Sequence, residues 1–125
     1  GDAVHVLRDP TRGGVAAALN EIALAGSVSI LADESAFPVS NEVNAVCEIL
    51  GFEPLFLANE GIFLAVVPPQ QTWSAVEALH KLGADKAACI GTLVEDELKA
   101  VTVKSLVGGQ RVVIPLGGEL LPRIC

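Results

Sequence analysis

The stretch AVHVLRDPTRGGVAAALNEIALAG, residues 3–26, decides the fold class. Residues 3–7 are typical of a short β-strand, and the Asp, Pro, Thr and Gly residues that follow predict a turn-rich loop. From about residue 13 to 25 the apolar residues recur at helical spacing, and Gly26 is placed to end the helix. A strand that passes through a glycine-rich loop into a helix is typical of an α/β protein.

The rest of the chain continues this mixture of strands and helices. Ser40 is placed as the N-cap of a second helix that Gly51 ends, and a third helix starts at Pro68-Pro69 and closes at Gly83. Strands or extended segments, which are apolar runs between turn residues, are predicted at 28–31, 55–57, 62–67, 87–94, 101–105 and 111–114. This count predicts an α/β fold in which a mixed β-sheet of about six strands is flanked by helices.

The same patterns predict which residues are buried. The run 62–67 is apolar on both faces, as a central strand would be. Apolar residues at helical spacing predict a core-facing stripe on the second and third helices. These residues are Val43, Val46, Cys47 and Leu50 in the second helix and Trp73, Val76 and Leu79 in the third.

The composition excludes several classes of protein. Hydrophobic residues make up 51% of the chain, as in a globular domain, and no apolar run approaches the ~18 residues of a membrane span. The net charge of −7 argues against nucleic acid and anionic membranes as partners, because both require clustered Lys and Arg. Cys47, Cys89 and Cys125 form no C-x-x-C pair, so a reducing, cytoplasmic compartment is expected.

The two ends of the chain predict its organisation. The sequence contains no methionine, so we expect a piece of a longer protein. Residues 1–115 are expected to form one α/β domain of that longer protein, which the resemblance described below implies is the C-terminal domain of a two-domain protein, and residues 116–125 a flexible tail. The tail ends on Cys125, which closes no loop, so this thiol is well placed to carry a covalently attached group. The alternative is a structural cysteine. Arg123 can offset the terminal carboxylate and favour the thiolate.

The loop 9–14 is the first candidate site. Paired glycines at a helix start expose backbone amides, where the helix dipole favours an anion. Arg12 adds a forked donor suited to phosphate or carboxylate. The alternative is an ordinary helix start whose cap is Asp9 or Thr11.

The segment Ala58-Asn59-Glu60-Gly61 is the second candidate site. It separates two apolar segments, and a carboxylate at such a junction can act as a general base. The alternative is a polar turn in which Asn and Gly supply unusual backbone angles. His5 and His80 are far apart in sequence and show no metal-ligand or catalytic spacing, so no metal site is expected.

Four segments carry one family resemblance. They are RDPTRGG (residues 8–14), NEIA (20–23), ANEG (58–61) and PRIC (122–125). Together they resemble the C-terminal half of the hydrogenase-maturation family HypE, over the whole chain. The terminal PRIC is the most specific segment. The first loop is shared with a wider superfamily of ATP-using enzymes related to aminoimidazole ribonucleotide synthetase and selenophosphate synthetase.

The resemblance implies a fold and a reaction. The fold is that of the C-terminal domain of aminoimidazole ribonucleotide synthetase, joined to an N-terminal domain and homodimeric in the full-length form. In the reaction, HypF places a carbamoyl group on the C-terminal cysteine, and ATP with Mg²⁺ drives its dehydration to a thiocyanate. The cyanide then passes to iron on a HypC–HypD complex and becomes a ligand of [NiFe]-hydrogenase. The isolated chain is expected to bind no ATP tightly and to be inactive.

The resemblance also implies roles for single residues. Cys125 is the expected carrier and Glu60 the expected base, while Arg12 is expected to stabilise negative charge during phosphoryl transfer. Residues expected to bind or position substrate and phosphate are Asp9, Thr11, Arg12, Gly13, Gly14, Asn59, Gly61 and Arg123.

Two other functions stay open. The chain would also suit a non-catalytic docking module for maturation partners, since it is small and acidic. The other alternative is a sibling ATP-dependent synthetase domain, against which the terminal cysteine argues, because such enzymes have no use for a thiol there.

Overall fold

The computed structural model describes residues 4–115, which contain six strands and three α-helices. The strands are β1 Val6–Arg8, β2 Ser29–Asp33, β3 Leu64–Val66, β4 Gly91–Val94, β5 Val101–Lys104 and β6 Gln110–Val112. The helices are α1 Gly14–Gly26, α2 Asn41–Leu50 and α3 Thr72–Lys81, with 3₁₀ turns at Glu34–Ala36, Pro54–Phe56 and Pro69–Gln71. The predicted α/β class is confirmed. The predicted tail, 116–125, lies outside the described residues.

The six strands are divided between two sheets. The larger sheet has the order β4-β2-β5-β6 and is mixed, because β2 and β5 run parallel while the other two pairs are antiparallel. The smaller sheet is the antiparallel pair of β1 and β3, in which Arg8 lies opposite Leu64. The predicted late hairpin is confirmed as β5 and β6.

The core lies between α1 and one face of the larger sheet. Alternate residues of β2 and β5 point to the helix, as the period of two in a strand requires. Val101 and Val103 have no exposed surface, and each such side chain contributes roughly 1.5–3 kcal/mol through burial. The buried residues of this hydrophobic core are Ala16, Leu19, Ile22, Ala23, Ile30, Ala32, Leu55, Val101, Val103 and Val113.

The predicted stripes of α2 and α3 are largely wrong. On α2 only Cys47 is buried, while Val46 and Leu50 are 54% and 56% exposed. On α3 no residue is buried, and Trp73 is 73% exposed. Helical spacing predicts that one face of a helix is apolar. It does not show that another element of this chain packs on that face.

Three predictions of extended structure or helix ends are corrected. The segment 55–57 is not extended, because Pro54 starts a 3₁₀ turn there. The run 62–67 is not a central strand, since only β3 within it is paired, on one side, with β1. Gly26 is the last residue of α1, and the left-handed cap is Ser27 with φ 52°.

Across residues 4–115, the helices are too short or too polar to cross a membrane.

Candidate functional site

The two loops singled out in the sequence meet in one cleft. β1 and β3 are antiparallel, so the loop that leaves β1 and the loop that enters β3 lie at the same end of the pair. The backbone amide of Asn59 donates a hydrogen bond of 3.2 Å to the carbonyl of Pro10. The cleft has a volume of about 420 Å³ and is lined by Asp9, Thr11, Glu60, Gly61, Ile62 and Phe63.

The first loop is held in place from both sides. Pro10 is buried, and its carbonyl accepts the bond from the second loop. Just before it, the guanidinium of Arg8 forms an ion pair with Glu21 on α1. The loop between β1 and α1 is thus joined to the second loop at Pro10 and to α1 through Arg8.

Gly14 fixes how α1 approaches the second loop. Its φ is 64°, a left-handed conformation that residues with a Cβ rarely adopt. A Cβ at this position would lie 2.4 Å from the carbonyl oxygen of Leu57 and 2.5 Å from that of Leu55. Only glycine allows the start of α1 to pack directly on the backbone that leads into the cleft.

The start of α1 has no side-chain cap. Its N-cap is Gly13, with φ 69°, and among residues 4–115 no side chain caps the helix with a hydrogen bond. The alternative in which Asp9 or Thr11 caps the helix is therefore wrong. Free first-turn amides and the positive end of the helix dipole suit an anionic group.

The cleft combines two carboxylates with an apolar surface. Asp9, Thr11 and Glu60 are exposed, and within residues 4–115 neither carboxylate forms an ion pair. Ile62 and Phe63 are 43% and 46% exposed beside them. The two carboxylates can accept protons or attract a cation, and the apolar pair can cover an apolar group.

Not every predicted site residue lies in the cleft. Asp9, Thr11, Glu60 and Gly61 line it. Asn59 joins the two loops through its backbone, and the exposed Arg12 lies beside the helix start without lining the cleft. Arg123 and Cys125 lie outside the described residues. In the described part, no group of three or more His, Cys, Asp or Glu side chains is placed to hold a metal ion.

Sequence reasoning missed the apolar lining and one anchoring residue. The sequence predicts Ile62 and Phe63 in a buried strand, although their position directly after Gly61 is a signal that they face the junction. Asn20 received no role. Its side-chain amide donates to the carbonyl of Ala16 at 2.8 Å and to that of Val113 at 3.0 Å.

A second hollow, of about 470 Å³, lies away from this cleft on the outer face of the larger sheet. Asp33, Ser35, Cys89, Lys104 and Gln110 are among its lining residues. The Ser35 hydroxyl donates to the carboxylate of Asp33 at 2.6 Å, and the Ser35 backbone amide donates to it at 2.9 Å. The hydroxyl has the larger effect, and both hydrogen bonds lower the pKa of Asp33. Its lining does not overlap that of the first cleft.

Comparison with known proteins gives concordant results. Residues 1–104 match the family model described as AIR synthase related protein, C-terminal domain. The chain is 48% identical over 124 residues to "Carbamoyl dehydratase HypE" of Rhizobium leguminosarum bv. viciae, covering 98% of this chain and 35% of the relative. Against the protein of the same name from Cupriavidus necator the identity is 46% over 124 residues, with the same coverage.

Solved structures agree in fold. The chain is similar to a hydrogenase maturation protein HypE solved in complex with ATP, with a TM-score of 0.90 and 39% identity over 98% of this chain and 38% of that one. It is also similar to a chain of a HypE–HypF complex, with a TM-score of 0.86 and 38% identity, covering 93% of this chain and 38% of that one. The chain thus spans about a third of the length of the curated relatives it matches.

Proposed function

The chain belongs to the family of AIR synthase related proteins, whose C-terminal domain it matches, and we propose that it is the C-terminal part of a carbamoyl dehydratase for hydrogenase maturation. The observation that carries this proposal is the cleft that Asp9 and Glu60 both line, in a chain 48% identical to a carbamoyl dehydratase HypE. The substrate is an S-carbamoyl group on Cys125, and the product is a thiocyanate on the same sulfur.

The proposed reaction removes one water from the carbamoyl group. The amide oxygen takes the terminal phosphoryl group of ATP, ADP leaves, and one N–H proton is lost. Loss of the second N–H proton and of phosphate then forms the C≡N bond, so that the amide oxygen departs in the phosphate. Delivery of cyanide to iron on a HypC–HypD complex restores the thiolate, and the two electrons this needs come from the iron-bearing acceptor.

The cleft residues suit the proton and phosphoryl steps. Glu60 is exposed at the cleft and is the proposed base for the amide protons. The uncapped start of α1 at Gly13 and Gly14, with Arg12 beside it, is proposed to stabilise the transferring phosphoryl group. In this proposal the start of α1 and Arg12 hold a single phosphate. The Mg²⁺ site and most of the nucleotide contacts are proposed to lie on the N-terminal domain.

The wider organisation follows the same proposal. Residues 1–115 form the domain and residues 116–125 the tail that carries the thiol between partners. The full-length protein works as a homodimer in the cytoplasm, receives its carbamoyl group from HypF and passes cyanide to HypC–HypD. The HypE–HypF complex among similar structures supports the first of these partners.

The test uses the full-length protein, carbamoylated and then given Mg-ATP. The C-terminal peptide is expected to lose the mass of one water, and Cys125→Ala is expected to abolish both carbamoylation and this loss. A matched Cys89→Ala variant is expected to behave as the wild type. Activity that survives Cys125→Ala would remove the carrier role, and a carbamoylated wild-type protein that binds its partners but loses no water would favour a docking module instead.

A further inference from the structure

We propose that Arg111 is a positioning residue for the dehydration, because from β6 it binds Glu53 and so holds the segment that carries Glu60 into the cleft. This role rests on the proposed function, since it takes Glu60 as the base. The contacts behind it lie in the larger sheet and in the chain before the cleft, away from the reacting atoms.

Arg111 lies at the edge of the core. It is opposite Val103 in the pairing of β5 with β6, and residues directly opposite each other share a face of the sheet. Val103 has no exposed surface, so Arg111 starts from the core-facing side of an edge strand. A guanidinium there needs a partner for its charge, because burial of an unpaired charge is costly. Its partner is the carboxylate of Glu53.

The ion pair between Arg111 and Glu53 joins two parts of the chain that are 58 residues apart. The two side chains are 37% and 36% exposed, whereas those of the pair Arg8–Glu21 are 53% and 56% exposed. Salt and water screen an ion pair less when its groups are partly buried. The Arg111–Glu53 pair is therefore the better suited of the two to hold one element against another.

Glu53 is the start of the segment that leads to Glu60. It lies directly before the 3₁₀ turn Pro54–Phe56, and its carbonyl accepts a hydrogen bond of 3.1 Å from the amide of Phe56. Leu55, within the turn, is buried in the hydrophobic core. Because the turn is bonded to Glu53 and packed in the core, the position of Glu53 fixes where the segment leaves the core.

The same strand also contacts the helix on the other side of the cleft. The carbonyl of Val113, two residues after Arg111, accepts a hydrogen bond of 3.0 Å from the side chain of Asn20 on α1. At the far end of the segment, the amide of Asn59 is bonded to the first loop, and Glu60 follows directly. β6 thus contacts both α1 and the segment that carries the base, and Arg111 makes the second of these contacts.

The strength of the ion pair limits the size of its effect. An interaction can shift a conformational equilibrium by no more than its own free energy, which for a partly exposed pair corresponds to about two- to five-fold. Loss of the pair leaves the Glu60 carboxylate chemically intact but less often in place for the amide proton. The rate of water loss then falls, while the KM for ATP stays the same.

The test measures water loss by mass in the full-length protein, carbamoylated and given Mg-ATP. Arg111→Met and Glu53→Gln are each expected to slow this step by up to about two- to five-fold, with carbamoylation and the KM for ATP unchanged. The charge swap Arg111→Glu with Glu53→Arg is expected to restore the rate. Lys81→Met, which removes an exposed ion pair with Glu77 on α3, is the control and is expected to have no effect.

A second background separates positioning from general stability. In Glu60→Gln, Arg111→Met is expected to slow water loss no further, because no base is left to position. Equal slowing in both backgrounds, or no slowing by Arg111→Met and Glu53→Gln in the wild type, would overturn the positioning role and leave Glu60 as the base. A silent Glu60→Gln would instead remove the base assignment itself, and the role of Arg111 with it.

Discussion

Gly14 shows how one residue without a side chain sets the geometry of the cleft. Its left-handed backbone and its contact with the carbonyls of Leu55 and Leu57 bring the start of α1 against the segment that leads to Glu60. The position leaves no room for a methyl group.

Gly14→Ala is therefore expected to lower the free energy of unfolding by about 3 kcal/mol, from left-handed strain and overlap with two carbonyl oxygens. Urea denaturation of the chain measures it. Gly51→Ala is the matched control, since Gly51 has φ 69° and nothing within 4 Å of its Cβ position. The control is expected to cost only about 1 kcal/mol. Equal losses would show that packing at Gly14 is unimportant.

Glu60 is the residue on which the proposed chemistry depends most. In the carbamoylated full-length protein, Glu60→Gln is expected to slow water loss by about 10²–10⁴-fold, because the amide cannot accept a proton. Carbamoylation itself is expected to proceed normally, and mass spectrometry follows both. Glu95→Gln, in an exposed turn far along the chain, is the control. An unchanged rate in Glu60→Gln would assign the base elsewhere.

Among the elements, those predicted best depend on local sequence. α1 follows from apolar periodicity after a glycine pair, and the N-cap of α2 from Ser40, whose hydroxyl accepts from the amide of Val43 at 3.4 Å. The cleft depends instead on the pairing of β1 with β3, which are more than fifty residues apart. The sequence identifies each loop as polar and unusual. It does not show that the two loops lie side by side, because that depends on the tertiary pairing of β1 with β3.

The short turn after β2 allows an element-scale prediction about pH. The hydroxyl and amide of Ser35 stabilise the charged carboxylate of Asp33 and lower its pKa. Their contribution to stability is complete above the ordinary pKa near 3.8 and is lost as the pH falls through the lowered value. Ser35→Ala is expected to raise the pKa of Asp33 toward its ordinary value.

NMR titration of the side-chain carboxyl carbon of Asp33 measures this shift. Ser74→Ala is the matched control, because the Ser74 hydroxyl donates to the carbonyl of Gln71 and no carboxylate is involved. The control is expected to leave the Asp33 titration unchanged. A titration of Asp33 that does not respond to Ser35→Ala would show that these hydrogen bonds do not persist in solution.

At the scale of the whole molecule, the described domain carries apolar surface that its own core does not use. Val46, Ile49 and Leu50 on α2 are 54%, 82% and 56% exposed, and Trp73 on α3 is 73% exposed. The chain spans about a third of its relatives' length. The sequence predicts Val46, Leu50 and Trp73 as core residues, because helical spacing shows that a face is apolar but not what covers it.

The chain alone is expected to show no ATP turnover, since a single helix start that is proposed to bind phosphate does not make a nucleotide site. Phosphate release with Mg-ATP measures it, and the full-length carbamoylated protein is the positive control. Added carbamoyl donor is expected to make no difference to the isolated chain. Turnover at the rate of the full-length protein would place the whole catalytic apparatus within these residues.

The anchoring of Val113 by Asn20 has a kinetic consequence. In the proposed mechanism, a thiol tethered about 40 Å or less from the cleft would meet it at an effective concentration of about millimolar, whatever the concentration of the protein. The dehydration step is then first order in enzyme and insensitive to dilution. Only the encounters with the carbamoyl donor and the cyanide acceptor slow down when the protein becomes scarce.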